Sequence, residues 1–455
     1  MSAEPRAGGP DRILVRDAAV LTMDPALGDF ARASILVEGE RIAAVAPDLE
    51  ADDAQVIEAA GMIALPGLID AHRHLWQSPL TLTAADVDLA GYFAAIPGKL
   101  APVYQPEDLY VANLAGALQA LDAGITTLFD WSHVQHTPAH SDAAIDGLQA
   151  SGLRAVFAYG FPNTGPEWSM DSTLPLPDDV RRVRRERLPG TDGLVTMALA
   201  IRGPEQSSLE ITAQDIATGR ELDLLISSHA GNGAFGLPYR SIERLDEAGL
   251  LGPDLQFVHG TSLTDQALVR IAETGGRLVS TPAVELQMQF GFPAAPRAVA
   301  LDLRPGLGAD VVTSTDTGLF GQMASAYQAA RQQALEQDTP RLEPRDLLGF
   351  ATLDGARAIG MEDRIGSLSP GKQADILLLG PPPLVPLNDP VAFCVLGADT
   401  RAVHTVLVAG QLRKKAGALV DKDLARLGAY LSQTRDALFK RAGLAHMGLD
   451  TKHPL

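Results

Sequence analysis

The sequence predicts an α/β chain: a (β/α)8, TIM-like barrel joined to a small β-sandwich domain that both termini build. Three observations predict it. Between about residues 67 and 317, eight short apolar runs rich in β-branched residues alternate with segments of helical period. Such alternation implies a parallel sheet, and eight repeats suggest a closed barrel. Both ends of the chain instead read as short strands between turn residues. Size is the third: 455 residues, 46% of them apolar, exceed what one core usually organises.

In chain order, residues 13–15, 34–37 and 42–45 are strand-sized and separated by Asp, Gly and Pro turn signals. The barrel runs are residues 67–74, 125–132, 153–161, 194–202, 222–229, 255–260, 277–281 and 306–313. Helical segments between them include 106–123, closed by Gly124, and 263–274, closed by Gly275 and Gly276. Further helices are expected over 320–335 and 344–360, then strands again over 374–379 and 403–408. The domains expected are 1–65 with 366–420 as the composite β-sandwich, 66–365 as the barrel, and 421–455 as a helical tail.

Composition narrows the partners. A formal net charge of −19, from 37 Lys+Arg against 56 Asp+Glu, repels phosphate backbones and anionic lipid heads. Neither nucleic-acid nor membrane-surface binding is expected; a small-molecule substrate is. The lone Cys394 excludes a disulfide framework or a Cys-based zinc site. With no apolar signal-like stretch in residues 1–20, a cytoplasmic setting is the expectation.

Ten histidines allow each to be weighed. His72 and His74 form His-x-His at the end of the first barrel run, and residues i and i+2 of a strand share a face. In a barrel that face is the interior, and the C-terminal mouth is where sites are built. Two imidazoles converging there make a metal chelate. Alone, the pair is as readily chance. His229 ends the fifth run, His259 the sixth, and Asp310 lies in the eighth, however, and a polar rim does not explain all five.

These residues, with three motifs, resemble the amidohydrolase superfamily in its branch of cytosine and guanine deaminases and triazine hydrolases. The first motif is Pro66-Gly67-Leu68-Ile69-Asp70-Ala71-His72-Arg73-His74-Leu75. The second is Ala123-Gly124-Ile125-Thr126-Thr127-Leu128-Phe129-Asp130. The third is Gly366-Ser367-Leu368 with Gly371-Lys372-Gln373-Ala374-Asp375, and together they span nearly the whole chain. Binuclear members of the superfamily use a carbamylated lysine on the fourth strand. No lysine occurs between Lys99 and Lys372, which leaves a mononuclear centre. The resemblance implies His72, His74, His229 and Asp310 as ligands of one divalent metal, Zn²⁺ or else Fe²⁺. It also implies His259 as a base and electrostatic partner beside them, with Asp310 relaying a proton from a metal-activated water. Homo-oligomers are common among such proteins.

One departure matters. Deaminases of this branch carry a glutamate three residues after the fifth-strand histidine, where this chain reads His229-Ala230-Gly231-Asn232. Asn232 can hydrogen-bond a ring nitrogen but cannot exchange a proton at neutral pH. A minority of the branch also lacks this glutamate and removes chloride or alkylamines from triazines. Glu285 after the seventh run, Glu205 after the fourth and His133 after the second are candidate substitutes, each equally readable as a loop cap or ion pair. Arg202, Gln77 and Trp76 complete the expected substrate contacts, although Trp76 is as readily core. Asp316 competes with Asp310, which the family pattern favours. His136, His140, His404, His446 and His453 read as solvated or loop residues.

The function expected is metal-dependent hydrolysis of a small nitrogen-heterocyclic or amidine-like substrate, releasing ammonia or an amine. A dechlorinating or other non-deaminating hydrolase is the alternative that Asn232 encourages. A non-catalytic scaffold on an inherited barrel is the alternative of another class, and the complete ligand set counts against it.

Overall fold

A computed structural model describes residues 12–162 and 167–444. The N-terminal strands are β1 (Arg12–Val20), β2 (Phe30–Glu38), β3 (Arg41–Ala46), β4 (Gln55–Glu58) and β5 (Ile63–Pro66). The barrel strands follow: β6 (Leu68–Arg73), β7 (Ile125–Ser132), β8 (Arg154–Gly160), β9 (Val195–Ile201), β10 (Ile226–Ala230), β11 (Leu255–His259), β12 (Arg277–Ser280) and β13 (Gly306–Leu307). The chain then returns to the first sheet with β14 (Ile376–Leu379), β15 (Val403–Val408), β16 (Gln411–Lys415) and β17 (Ala418–Leu419).

All eight barrel strands pair in parallel, in sequence order from β6 to β13. They are buried on both faces, as a sheet covered by helices requires. Closure of β13 on β6 falls at the candidate ligands. Asp310 N–H donates to His72 O at 2.9 Å, and His74 N–H donates to Asp310 O at 3.2 Å. Gly308 permits this approach, because a Cβ there would stand 2.6 Å from His72 O.

The strands of the two chain ends form one connected nine-stranded sheet, ordered β17-β16-β15-β14-β5-β1-β2-β3 with β4 also on β1. It encloses a core of its own, including Ile13, Val15, Ile35, Ile376 and Leu378. A buried clamp ties it to the barrel. Asp375 accepts from Arg154 Nε at 2.7 Å and Nη2 at 3.1 Å, and also from Ala409 N–H at 2.7 Å.

Two expectations change in detail. The helix expected over 344–360 is two helices, Pro344–Phe350 and Leu353–Ala358, because Thr352 (φ −133°, ψ −100°) leaves helical geometry. The run 306–313 is a strand only at Gly306–Leu307, the chain turning at Asp310, whose φ is +58°. The tail helix, Leu424–Arg441, starts on the Asp423 side chain and packs on the helix Pro106–Asp122. His446 and His453 lie outside the described residues, as do residues 1–11. Among the described residues, no helix is long and apolar enough to cross a membrane.

Candidate metal centre

Four side chains from three places in the barrel wall converge at its C-terminal mouth. His72 and His74 come from the end of β6, His229 from β10, and Asp310 from the turn after β13. One ligand atom of each lies within 4.8 Å of all the others. Asp310 Oδ1 stands 3.2 Å from His72 Nε2 and 3.3 Å from His74 Nε2. A tetrahedral zinc with bonds of about 2.05 Å has edges of about 3.3 Å, so these two spacings are those of a ligand cage.

The proton positions make the same point. His74 Nδ1 faces the Trp131 carbonyl at 2.7 Å. A carbonyl only accepts, so Nδ1 carries a proton and Nε2 is the ring nitrogen turned into the cage. Nε2 stands 3.3 Å from a carboxylate oxygen of Asp310. Burial holds His72 down to about 4 and His229 well below the ordinary histidine range, so both are neutral donors. Burial alone would raise the Asp310 pKa, but the facing His72 and His74 outweigh it and hold the group well below the carboxylate range. The donor set therefore fits one divalent metal.

His259 stands outside this cage. Its Nε2 is 4.0 Å from Asp310 Oδ2, the oxygen turned away from His72 and His74. Its Nδ1 lies 3.1 Å from Thr281 Oγ1 and 3.5 Å from Glu285 Oε1. Burial disfavours the His259 cation, yet the Glu285 and Asp310 carboxylates outweigh that and raise its pKa. His259 and Asp310 both hold positive φ, +79° and +58°. Such strain in non-glycine residues is sustained only where the surroundings fix it.

The sequence profile of the amidohydrolase family matches residues 63–413. The chain belongs to the amidohydrolase family. The 5'-deoxyadenosine deaminase of Methanothermobacter thermautotrophicus is 27% identical over 403 residues, 86% of this chain and 91% of that protein. The 8-oxoguanine deaminase of Pseudomonas aeruginosa is 30% identical over 415 residues, 85% of this chain and 89% of that protein. Among solved structures, an adenosine deaminase from Xanthomonas campestris with bound zinc has a TM-score of 0.83 at 25% identity, covering 94% of this chain and 98% of its own. The zinc complex of an atrazine chlorohydrolase from Arthrobacter aurescens also has a TM-score of 0.83, at 23% identity, covering 93% of this chain and 100% of its own; that likeness is one of fold. The protein is a hydrolase of this family with a site suited to a metal.

In this amidohydrolase the cavity above the cage is lined by His133 and Asn232 but by none of the other expected substrate contacts. Glu285 is fully buried behind His259 and accepts from Ser280 Oγ at 2.9 Å and Thr281 N–H at 2.7 Å. Glu205 accepts from Gly231 N–H at 2.7 Å and from Ser241 Oγ, pinning the loop after His229. Arg202 donates to Glu167 O and Ser172 Oγ, both at 2.8 Å, and to Leu174 O. It braces the segment that carries Trp168 and stacks over Phe161 at 3.8 Å. Gln77 has both amide ends engaged, with Tyr92 Oη at 2.6 Å and Thr313 Oγ1 at 3.4 Å, and Trp76 is core. Glu285, Glu205, Arg202, Gln77 and Trp76 therefore hold loops and core around the cavity and do not line it. Asp316 is exposed and accepts from Gly318 N–H at the start of the helix Leu319–Gln337. His140 is buried rather than solvated, bonded to Thr137 Oγ1 at 2.8 Å and facing Tyr104 O at 3.1 Å.

Several lining residues escape the sequence reading. Trp131 lies two residues before His133, so period-2 alternation along β7 would have found it. Leu89, Tyr92 and Phe93 follow helical spacing in the short helix Leu89–Ala95, a segment unassigned from sequence, and Trp168 and Phe290 arrive from loops with no periodic signal.

Proposed function

We propose that the protein hydrolyses an exocyclic substituent, an amine in the first instance, from a small nitrogen heterocycle, with zinc as its metal. The observation that carries this reading is the cage of His72, His74, His229 and Asp310 opening into a cavity walled by Trp131, Trp168 and Phe290. Aromatic walls suit a flat ring. The relatives named as deaminases, and the zinc named in two related structures, support the substrate class and the metal.

A metal in the cage supplies a water acidic enough to serve as nucleophile near neutral pH. The protein's own groups do the rest. Asp310 Oδ2, free of the cage, is placed to take a proton while Oδ1 holds its position. His259 faces that oxygen, fixed from behind by Thr281 and Glu285, and stabilises charge there. Asn232 borders the same cavity and orients the ring without exchanging a proton.

Ammonium and amine release from aminopyrimidines, aminopurines and aminotriazines tests the proposal, with zinc-loaded protein against a metal-stripped control. Metal-dependent release is expected. Silence on amines with chloride release from chlorotriazines would transfer the reading to the dechlorinating alternative, which Asn232 favours. Silence on every substrate would overturn it.

A further inference from the structure

The N-terminal end of the barrel, opposite the metal cage, holds a second cavity of about 390 Å³, within the size range of small-molecule sites. Its floor is the base of the barrel interior: Val156 of β8, Met197 of β9, Leu225 just before β10, and Ile359 and Met361 after the helix Leu353–Ala358. Three half-buried arginines from separate segments share its lining: Arg184 in the turn Val183–Arg187, Arg277 at the start of β12, and Arg364 in the loop before β14. Elsewhere arginines of this chain pair with carboxylates, as Arg270 does with Asp246 and Arg220 with Asp254. These three do not. Among the described residues, Arg184 donates to Leu222 O at 3.1 Å and Leu188 O at 2.9 Å, Arg277 to Pro253 O, and Arg364 to Thr191 O and Asp192 O. Carbonyls occupy N–H groups without cancelling the charge. Arg184 Nη2, Arg277 Nε and Nη2, and Arg364 Nε keep no protein partner among the described residues. Three carboxylates border the cavity but do not supply the counter-charge. Asp254 is committed to Arg220, at 2.7 Å and 3.2 Å, and Asp192 and Asp223 are exposed, with no ion pair to these arginines among the described residues. In a chain of net charge −19 such a gathering is not a by-product of composition.

We propose that this cavity binds a small organic anion: an apolar body of about one ring, carrying a phosphate or a carboxylate. The body covers the floor of Val156, Met197, Leu225, Ile359 and Met361 and removes it from water. The head group takes charge-assisted N–H bonds from the uncommitted guanidinium nitrogens, whose planar donors suit either oxyanion. It also supplies the negative charge that no carboxylate of the chain brings to Arg184, Arg277 and Arg364. The site lies at the opposite end of the barrel from the cage, so it stands or falls apart from the function proposed above.

Isothermal titration of the zinc-loaded protein tests this, with phenyl phosphate and benzoate as probes beside inorganic phosphate, benzyl alcohol and benzylamine. At least one of the two aromatic anions is expected to bind with a Kd of about 1 mM or tighter, and the tighter one names the head group. Inorganic phosphate, which lacks the apolar body, should bind about 10-fold more weakly than phenyl phosphate. Benzyl alcohol, which lacks the charge, should bind at least about 10-fold more weakly than the better anion. Arg277→Gln and Arg364→Gln should each weaken that anion about 10-fold. Leu225→Asp, which keeps the arginines and puts a carboxylate on the half-buried edge of the floor, should weaken it at least as much. All three variants should keep the zinc content of the wild type. An anion held only by the zinc would bind the three variants as it binds the wild type, and that result would overturn the proposal. Benzylamine binding as tightly as phenyl phosphate would give the cavity to its carboxylates and overturn it too. So would the absence of binding by both aromatic anions at about 10 mM.

Discussion

Gly308→Ala is the sharpest single-atom perturbation of the metal cage. The added Cβ would stand 2.6 Å from His72 O and 2.9 Å from His72 Cβ, where ordinary contacts begin near 3.4 Å. Because the obstructing atom is backbone, β13 must move away from β6 by about 0.8 Å. The Asp310 N–H to His72 O bond, now 2.9 Å, would then exceed hydrogen-bond range, and the His74 N–H to Asp310 O bond beside it would weaken. Overpacking of about 1–3 kcal/mol plus two bonds of about 1 kcal/mol each gives a loss of about 3–5 kcal/mol. At about 2.1 cal/mol/K per residue the chain's unfolding entropy is about 1 kcal/mol/K, so Tm should fall by about 3–5 K. Ligand sets tolerate about 0.2 Å, so a shift several times larger should lower zinc affinity at least about 10-fold. Scanning calorimetry and competition with a fluorescent zinc chelator measure both. Gly428→Ala is the control. It sits in the helix Leu424–Arg441 with nothing within 4 Å of its would-be Cβ, and should stabilise by about 0.5–1 kcal/mol. A Gly308→Ala protein with wild-type Tm and zinc affinity would refute the reasoning.

Three further outcomes follow from the same structure. Asp375→Ala strands the buried Arg154 guanidinium and should cost about 3–5 kcal/mol in denaturant unfolding while leaving zinc stoichiometry unchanged; a loss under 1 kcal/mol would contradict the clamp. Burial raises the Asp215 carboxyl to about 7, against the opposing pull of Arg202. The folded state therefore binds this proton more tightly than the unfolded chain, and stability falls as pH rises from about 4 to about 7. Asp215→Asn should thus be more stable than wild type at pH 8, by at most about 4 kcal/mol, with the gap closing near pH 4. Melting curves showing a gap of equal size at both pH values would exclude this. Asn232→Glu restores a proton-exchanging group to the cavity wall and should raise ammonium release from aminoheterocycles about 10-fold or more; an unchanged rate would show that proton delivery there does not limit turnover.

The barrel was legible because its signal is local and repeated. Seven of the eight runs from residue 67 to residue 313 contain their strand, the fifth falls one residue short of the end of β10 at Ala230, and the metal-ligating types lie near the ends of those runs, where a parallel barrel converges. Less legible was whatever depends on how a side chain turns after its strand ends. Glu285, Glu205 and Arg202 follow strands as candidate contacts should, but backbone groups capture each of them: Thr281 N–H four residues back, Gly231 N–H in the next loop and Glu167 O in the preceding one. Spacing along the chain does not encode that competition. Asp310 shows the converse: its eighth strand is two residues long, yet backbone bonds to His72 and His74 place it more firmly than a longer strand would require.

The central claim, that His72, His74, His229 and Asp310 form a metal cage, is tested most directly by the metal content of the protein purified without chelators, beside Asp310→Ala. About one equivalent of zinc per chain is predicted for the wild type, falling well below that in the variant after mild dialysis. A folded wild-type protein that holds no metal, and recovers none when zinc is added, would contradict the account.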